Sequence, residues 1–147
     1  MTVKTAAKPP FRADHVGSLL RAESVKTARK RFFEEKSIGR EELKEVEDAA
    51  IRDVVKLQQD AGLPVVTDGE TRRAYWHFDF MGGLDGMEIV EGEANVKFAG
   101  VALTTRPVIT DRLDFPADHP MLDHYKYLAS VAAGTPKKGT NTASRAP

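Results

Sequence analysis

The densest set of chemically able side chains is Asp68-Gly69-Glu70-Thr71-Arg72-Arg73-Ala74-Tyr75-Trp76-His77, directly behind the β-branched pair Val65-Val66. Two carboxylates, two guanidiniums, an indole and an imidazole share this one loop. Glu70 is suited to fix an ammonium group or to act as a base, and an arginine to fix a carboxylate through paired hydrogen bonds. A plainer arrangement is also open, in which Asp68 and Glu70 cap a following helix and the arginines make surface ion pairs of little energetic consequence. A second set, His15-Val16-Gly17-Ser18-Leu19-Leu20-Arg21, puts a Gly-Ser turn at the end of a short run that reads as extended. Consecutive N–H groups in such a turn can cradle a carboxylate, and glycine admits its close approach. The plainer alternative is a tight turn with Ser18 capping the next helix.

His77-Phe78-Asp79 has the His-x-carboxylate spacing of a non-haem iron site, with His119 or His124 as a distal third ligand. The run Tyr75 to Phe80 fits a packed aromatic helix better, and His119 and His124 do not share a helical face. No phosphate loop or dinucleotide fingerprint occurs.

These loops need elements to hold them. Pro9-Pro10 favours an extended start, and Phe11 to Val16 reads as a short first strand. From Arg21 to Lys36 no Gly or Pro interrupts a helical recurrence of Val25, Ala28 and Phe32. A longer helix follows, with Glu41 and Glu42 in its first turn and Leu43, Val46, Ala50, Ile51, Val54, Leu57 and Ala61 on one face. Gly62 is placed as its C′ residue and Pro64 stops it, so Val65-Val66 is the strand of an αβ half-unit. The polar residues then fall at the carboxyl end of a strand, where α/β sheets put their ligands, and both loops open on the same edge. Gly82 to Phe115 reads as an antiparallel hairpin excursion. Ala117 to Ala133 is a last helix, with Pro120 in its first turn, closed by Gly134.

Composition sets the outer bounds. The chain has 147 residues, 22 Lys+Arg against 22 Asp+Glu, and no cysteine. Zero net charge gives no field to gather nucleic acid or an anionic membrane, and the basic run Lys26 to Arg31 reads as a solvated face. No apolar run approaches membrane-spanning length and the N-terminus lacks a signal peptide, so a cytoplasmic protein is expected. An eightfold α/β barrel needs about 250 residues, so a chain of this length could supply only part of one.

The Gly17-Ser18 loop, the helix containing Glu42-Leu43 and Glu47-Asp48-Ala49-Ala50-Ile51, and the segment Gly62 to Arg73 together resemble the start of the cobalamin-independent methionine synthase catalytic domain. More narrowly, the chain is similar to the short single-domain methyltetrahydropteroyltriglutamate–homocysteine methyltransferase relatives, from about Phe11 to Pro136. The resemblance implies a (β/α)8 barrel in which zinc, held by His, Glu and Cys residues, binds the homocysteine thiolate for methyl transfer from methyltetrahydrofolate. It also implies that Gly17 and Ser18 receive the amino acid's carboxylate and that Glu70 holds its amino group. Asp68 stands where the synthases proper usually have histidine.

The expected fold is therefore α/β: a partial, truncated TIM barrel made of the first βα units plus a β-hairpin excursion. Residues 1–8 are expected to be a flexible lead, 9–136 the N-terminal part of the barrel, and 137–147 a disordered, divergent tail. The expected substrate-binding residues are Gly17, Ser18, Asp68, Glu70, Arg72 and Trp76. No catalytic residue or metal ligand is assigned, because a chain without cysteine lacks the thiolate of the implied zinc site. The expected function is that of an N-terminal methyltransferase fragment, inactive alone and cut near Lys137, whose open barrel edges favour self-association. A zinc-dependent carbon–sulfur lyase of the same family and a non-catalytic small-molecule-binding module are the alternatives.

Overall fold

The structure, a computed structural model, describes residues 17–75, 77–98 and 101–137. The strand expected over Phe11–Val16, the lead over 1–8, the tail from 138 onward and Trp76 lie outside the described residues. Two helices come first, α1 (Glu23–Phe33) and α2 (Arg40–Asp60), followed by the short strand β1 (Val65–Val66). A single-turn helix α3 (Phe78–Met81) leads into the hairpin strands β2 (Asp85–Phe98) and β3 (Val101–Asp114). Helix α4 (Pro120–Val131) then returns the chain to β4 (Thr135–Pro136).

Among the described residues the strands form two separate two-stranded sheets, neither closed on itself. β1 and β4 are parallel, Val65 opposite Thr135 and Val66 opposite Pro136, with α4 in the connection between them. This is the crossover that a parallel pair requires. β2 and β3 are antiparallel and stand apart from that pair, with register shifts between Asp85 and Met87 and between Glu91 and Val96. The hairpin excursion follows the sequence reading.

The end of α2 shows why β1 begins where it does. Gly62 has φ +75°, its N–H bonds to Gln59 O at 2.9 Å, and Leu63 N bonds to Gln58 O at 3.1 Å. These are the two bonds of a Schellman motif, and glycine enters its left-handed C′ position without a Cβ penalty. α1 is shorter than the expected 21–36 span. It starts behind Ala22, because Arg21 turns its side chain to the neighbouring loop, and it ends as Lys36 takes φ +53° and Ser37 N bonds back to Arg31 O.

One core cluster joins Ile51 and Val55 of α2 to Val66 and to Leu128 of α4. A second joins Ala28, Ile38 and Leu43. The buried side of α2 runs through Glu47, Val55 and Gln58 as well as Leu43, Ala50 and Ile51, whereas Leu57 is 65% exposed. The apolar stripe read from periodicity is therefore correct at its N-terminal half and turned by one position further on. The buried polar Gln58 takes the place of Leu57, and Ala61 is exposed. No helix among the described residues is long and apolar enough to cross a membrane.

Candidate functional site

The loop behind β1 is fixed before any ligand is considered. Gln58, 3% exposed, donates from Nε2 to Thr67 O at 2.8 Å and accepts at Oε1 from Thr67 N at 2.9 Å. Its amide thus bonds both backbone groups of Thr67 as a neighbouring strand would. Thr67 Oγ1 accepts from Gly69 N at 3.2 Å, and Asp68 Oδ1 accepts from Glu70 N at 3.2 Å. Two successive turns follow, Thr71 N to Asp68 O at 3.2 Å and Arg73 N to Glu70 O at 3.1 Å. Gly69 has φ +62°, and a Cβ there would lie 3.1 Å from Val54 Cγ1 and 3.2 Å from Leu19 Cβ. The loop thus packs tightly on both α2 and the segment after the Gly17-Ser18 turn. Glu70 is left-handed too, with φ +55°, a conformation that costs a non-glycine residue about 1 kcal/mol or more. Strain of this kind persists only where surrounding bonds hold it.

Those bonds come from the second loop. Gly17 has φ +99°, open space around it and an exposed Ser18 after it. Leu19 N then donates to Gly69 O at 3.0 Å. Two residues later Arg21 donates from Nη2 to Glu70 O at 3.1 Å and to Arg73 O, and from Nε to Thr71 O at 3.3 Å. The two loops singled out by sequence are one hydrogen-bonded unit at the carboxyl end of β1. Gly17, Ser18, Asp68 and Glu70 are brought to it, while Trp76 lies outside the described residues.

The two arginines separate. Arg72 turns to α2, where it pairs with Asp48 Oδ1, lies 3.6 Å from Glu47 Oε2, and sets its guanidinium carbon 5.3 Å from the Tyr127 ring centroid. Arg29 of α1 joins through Glu47 Oε1 at 3.2 Å and through the carbonyl of Arg72 at 3.0 Å. Burial holds the Glu47 carboxyl above its ordinary value, outweighing the lowering effect of Arg72 and Arg29. Burial pushes Asp48 the same way, yet hydrogen bonds from Lys44 and Arg72 outweigh it and leave that carboxyl below its ordinary value. Arg73, by contrast, stays beside Glu70, with Nη1 3.5 Å from Glu70 Oε1. Its side chain is 3% exposed, and Nε and Nη2 have no hydrogen-bond partner among the described residues. Sequence reasoning named Arg72 among the substrate-binding residues and left open which arginine would fix a carboxylate. In the structure the arginine three residues after Glu70 is the one next to it, a separation that one turn of backbone brings together.

His119 has a structural task. His119 is fully buried, accepts from Met121 N at Nδ1 at 3.1 Å, and so directs its Nε2 proton to Phe80 O, also at 3.1 Å. It caps α4 and ties it to α3. Asp79 accepts from Ala74 N at 3.2 Å and Tyr75 N at 2.7 Å, closing the loop ahead of α3. The donor set of the implied zinc site therefore does not fit this chain: there is no cysteine, and both ring nitrogens of His119 are directed at backbone. No group of three metal-ligating side chains occurs among the described residues. What the joined loops can do is place a carboxylate, flanked by a guanidinium, beside a glycine turn able to approach an anion closely.

Comparison with known proteins adds an independent finding. Residues 11–146 match the family described as cobalamin-independent synthase, catalytic domain. The uncharacterized proteins YxjG and YxjH of Bacillus subtilis strain 168 are 47% and 44% identical to this chain over 135 residues. Each alignment covers 88% of this chain and 34% of the relative, so the chain spans about a third of the length of these curated relatives. A solved chain from Listeria monocytogenes, described as a candidate vitamin-B12 independent methionine synthase, superposes with a TM-score of 0.66 at 32% identity. That match covers 88% of this chain and 40% of the other.

Proposed function

The chain belongs to the cobalamin-independent synthase catalytic-domain family, and on that premise we propose that it is the leading part of a homocysteine methyltransferase, supplying the loops that grip the amino-acid end of the substrate. The observation that carries this reading is the bond from Leu19 N to Gly69 O, which seats the Gly17-Ser18 turn against Asp68-Gly69-Glu70. In this reading the Glu70 carboxylate holds the ammonium group, the Gly17-Ser18 turn receives the carboxylate, and Asp68 fixes the loop through the Glu70 amide. Arg72 and Trp76 complete the set of proposed binding residues, Arg72 by anchoring the loop to α2.

The parallel pair β1 and β4 with α4 between them supports the reading of an eightfold barrel of which this chain supplies only part. The methyl donor in this reading is methyltetrahydrofolate. Zinc, which the family uses to activate the thiol, would be held by residues this chain does not carry. This chain's own residues bind and orient; no proton or methyl transfer is assigned to them.

The test is complementation. The chain is mixed with a separately produced remainder of the YxjG-type domain, zinc, homocysteine and methyltetrahydrofolate, and methionine is measured. Methionine should form only in the mixture and should fall at least tenfold with Glu70→Gln, the loss expected for removing one charge-assisted hydrogen bond, about 1.5–3 kcal/mol. If calorimetry finds no homocysteine binding to the chain, alone or complemented, the reading is wrong.

A further inference from the structure

We propose that Arg21 is a positioning residue. Its guanidinium holds Glu70 in the left-handed backbone conformation that aims the carboxylate, and so sets how strongly the site prefers a thiol substrate that carries an amine over one that does not. The proposal rests on the reading of Glu70 as the ammonium acceptor, and it adds a residue to which no binding role has so far been given.

Three backbone carbonyls of one loop, those of Glu70, Thr71 and Arg73, converge on the Arg21 guanidinium. Carbonyl oxygens pointed at one place repel one another unless a cation sits between them. Arg21 is that cation, and among the described residues no carboxylate forms an ion pair with it. The planar fork of five N–H donors suits this task, since Nε and Nη2 address carbonyls at fixed angles that a single ammonium does not reproduce. Glu70 lies in the middle of the arrangement with φ +55°. Its own carbonyl accepts both from Arg21 Nη2 at 3.1 Å and from Arg73 N at 3.1 Å, so the peptide after Glu70 is locked in orientation. The bond from Leu19 N to Gly69 O locks the peptide before it.

Without the guanidinium, the left-handed residue has an open path to the ordinary negative-φ region. The Cα–Cβ vector of Glu70 would then rotate, carrying its carboxylate away from Arg73 Nη1, now 3.5 Å distant. The Gly17-Ser18 turn would remain, because its conformation depends on the glycine rather than on Arg21. The loss should therefore fall on recognition of the amine and spare recognition of the carboxylate and thiol.

Two measurements test this. In the first, calorimetric affinities are compared for homocysteine and for 4-mercaptobutanoic acid, the same molecule without the amine, on the wild-type chain and on R21M, R21K and E70Q. The wild type should prefer homocysteine by about tenfold or more, the factor expected for a hydrogen bond to a charged group. R21M should lower that preference to within about twofold of E70Q while leaving the affinity for 4-mercaptobutanoic acid within about twofold of wild type. R21K, which keeps the charge and guards against a folding defect, should recover part of the preference. In the second, the distance between the amide and α protons of Glu70, read from their nuclear Overhauser enhancement, is shorter at positive φ than at negative φ and should lengthen in R21M without added ligand. A wild-type preference and an unchanged distance in R21M would overturn the role of Arg21. A wild-type preference in E70Q would overturn the reading of Glu70 itself.

Discussion

Gln58 and Thr67 are joined by a two-way bond in which a side-chain amide replaces a strand: Nε2 donates to Thr67 O at 2.8 Å and Oε1 accepts from Thr67 N at 2.9 Å. β1 has only two residues, so its carboxyl end needs this support to present Asp68 and Glu70 at all. Gln58→Leu keeps the volume but strips Thr67 of both bonds in a buried setting, which should cost about 2–4 kcal/mol. Gln58→Glu keeps the acceptor for Thr67 N but sets a carboxylate oxygen against Thr67 O, and should cost a similar amount near neutral pH. Urea unfolding measures both, and a loss under about 0.5 kcal/mol in the leucine variant would show that the clamp is dispensable.

Glu47 and Asp48 are neighbours on α2 whose titrations act in opposite senses. Glu47 is held above its ordinary value of 4.5 by burial, so as pH rises past that value the unfolded chain ionises first and Glu47 subtracts from stability. Asp48 is held below its ordinary value of 3.8 by Lys44 and Arg72 against the effect of burial. Its contribution is therefore present above that value and is lost as pH falls through the folded value. Asp48→Asn should flatten the fall in stability as pH drops below about 4, and Glu47→Gln should remove the gain in stability that Glu47 supplies as pH drops toward about 4.5 from above. Stability curves from urea unfolding across that range test both signs, and equal slopes in the three proteins would refute the assignment.

Much of this fold is legible in sequence because local rules fix it. Gly62 and Pro64 mark the end of α2 through backbone sterics, the glycines of the middle section mark the hairpin, and the switch from Val65-Val66 to Asp68 marks the loop of interest. What escapes is the polar part of the interior. Glu47 and Gln58 are buried because Arg29, Arg72 and Thr67 satisfy them, Arg73 lies buried beside Glu70 at the end of a local turn, and no periodicity of hydrophobicity points to a buried glutamine. The choice between Arg72 and Arg73 escapes for the same reason. The two are adjacent, and only the turn from Glu70 to Arg73 decides which side chain meets Glu70 and which meets α2.

The turned stripe of α2 gives a direct comparison of two aliphatic residues that periodicity treats as equivalent. Ile51 is 1% exposed in the cluster with Val55, Val66 and Leu128, and Leu57 is 65% exposed. Ile51→Ala should cost about 2–5 kcal/mol, whereas Leu57→Ala should stay within about 0.5 kcal/mol. Equal losses measured by urea unfolding would mean that Leu57 is covered in solution.

His119 couples the hairpin excursion to the parallel pair, and Gly83 is the residue that makes room for it. A Cβ at position 83 would lie 2.5 Å from His119 Nε2 and 2.8 Å from its Cδ2, too close for any rotamer adjustment of a ring that is fully buried and stacked on Phe115. Gly83→Ala must therefore push the ring off Phe80 O, Met121 N or both, loosening α3 and the start of α4 together. The expected cost is about 2–4 kcal/mol, combining overpacking with a lost cap. The steric cause predicts strong coupling: once His119→Ala has emptied the space, adding Gly83→Ala should cost about 1 kcal/mol or less. Additive losses in the double-mutant cycle would show that Gly83 acts through its backbone freedom and not through the imidazole it faces.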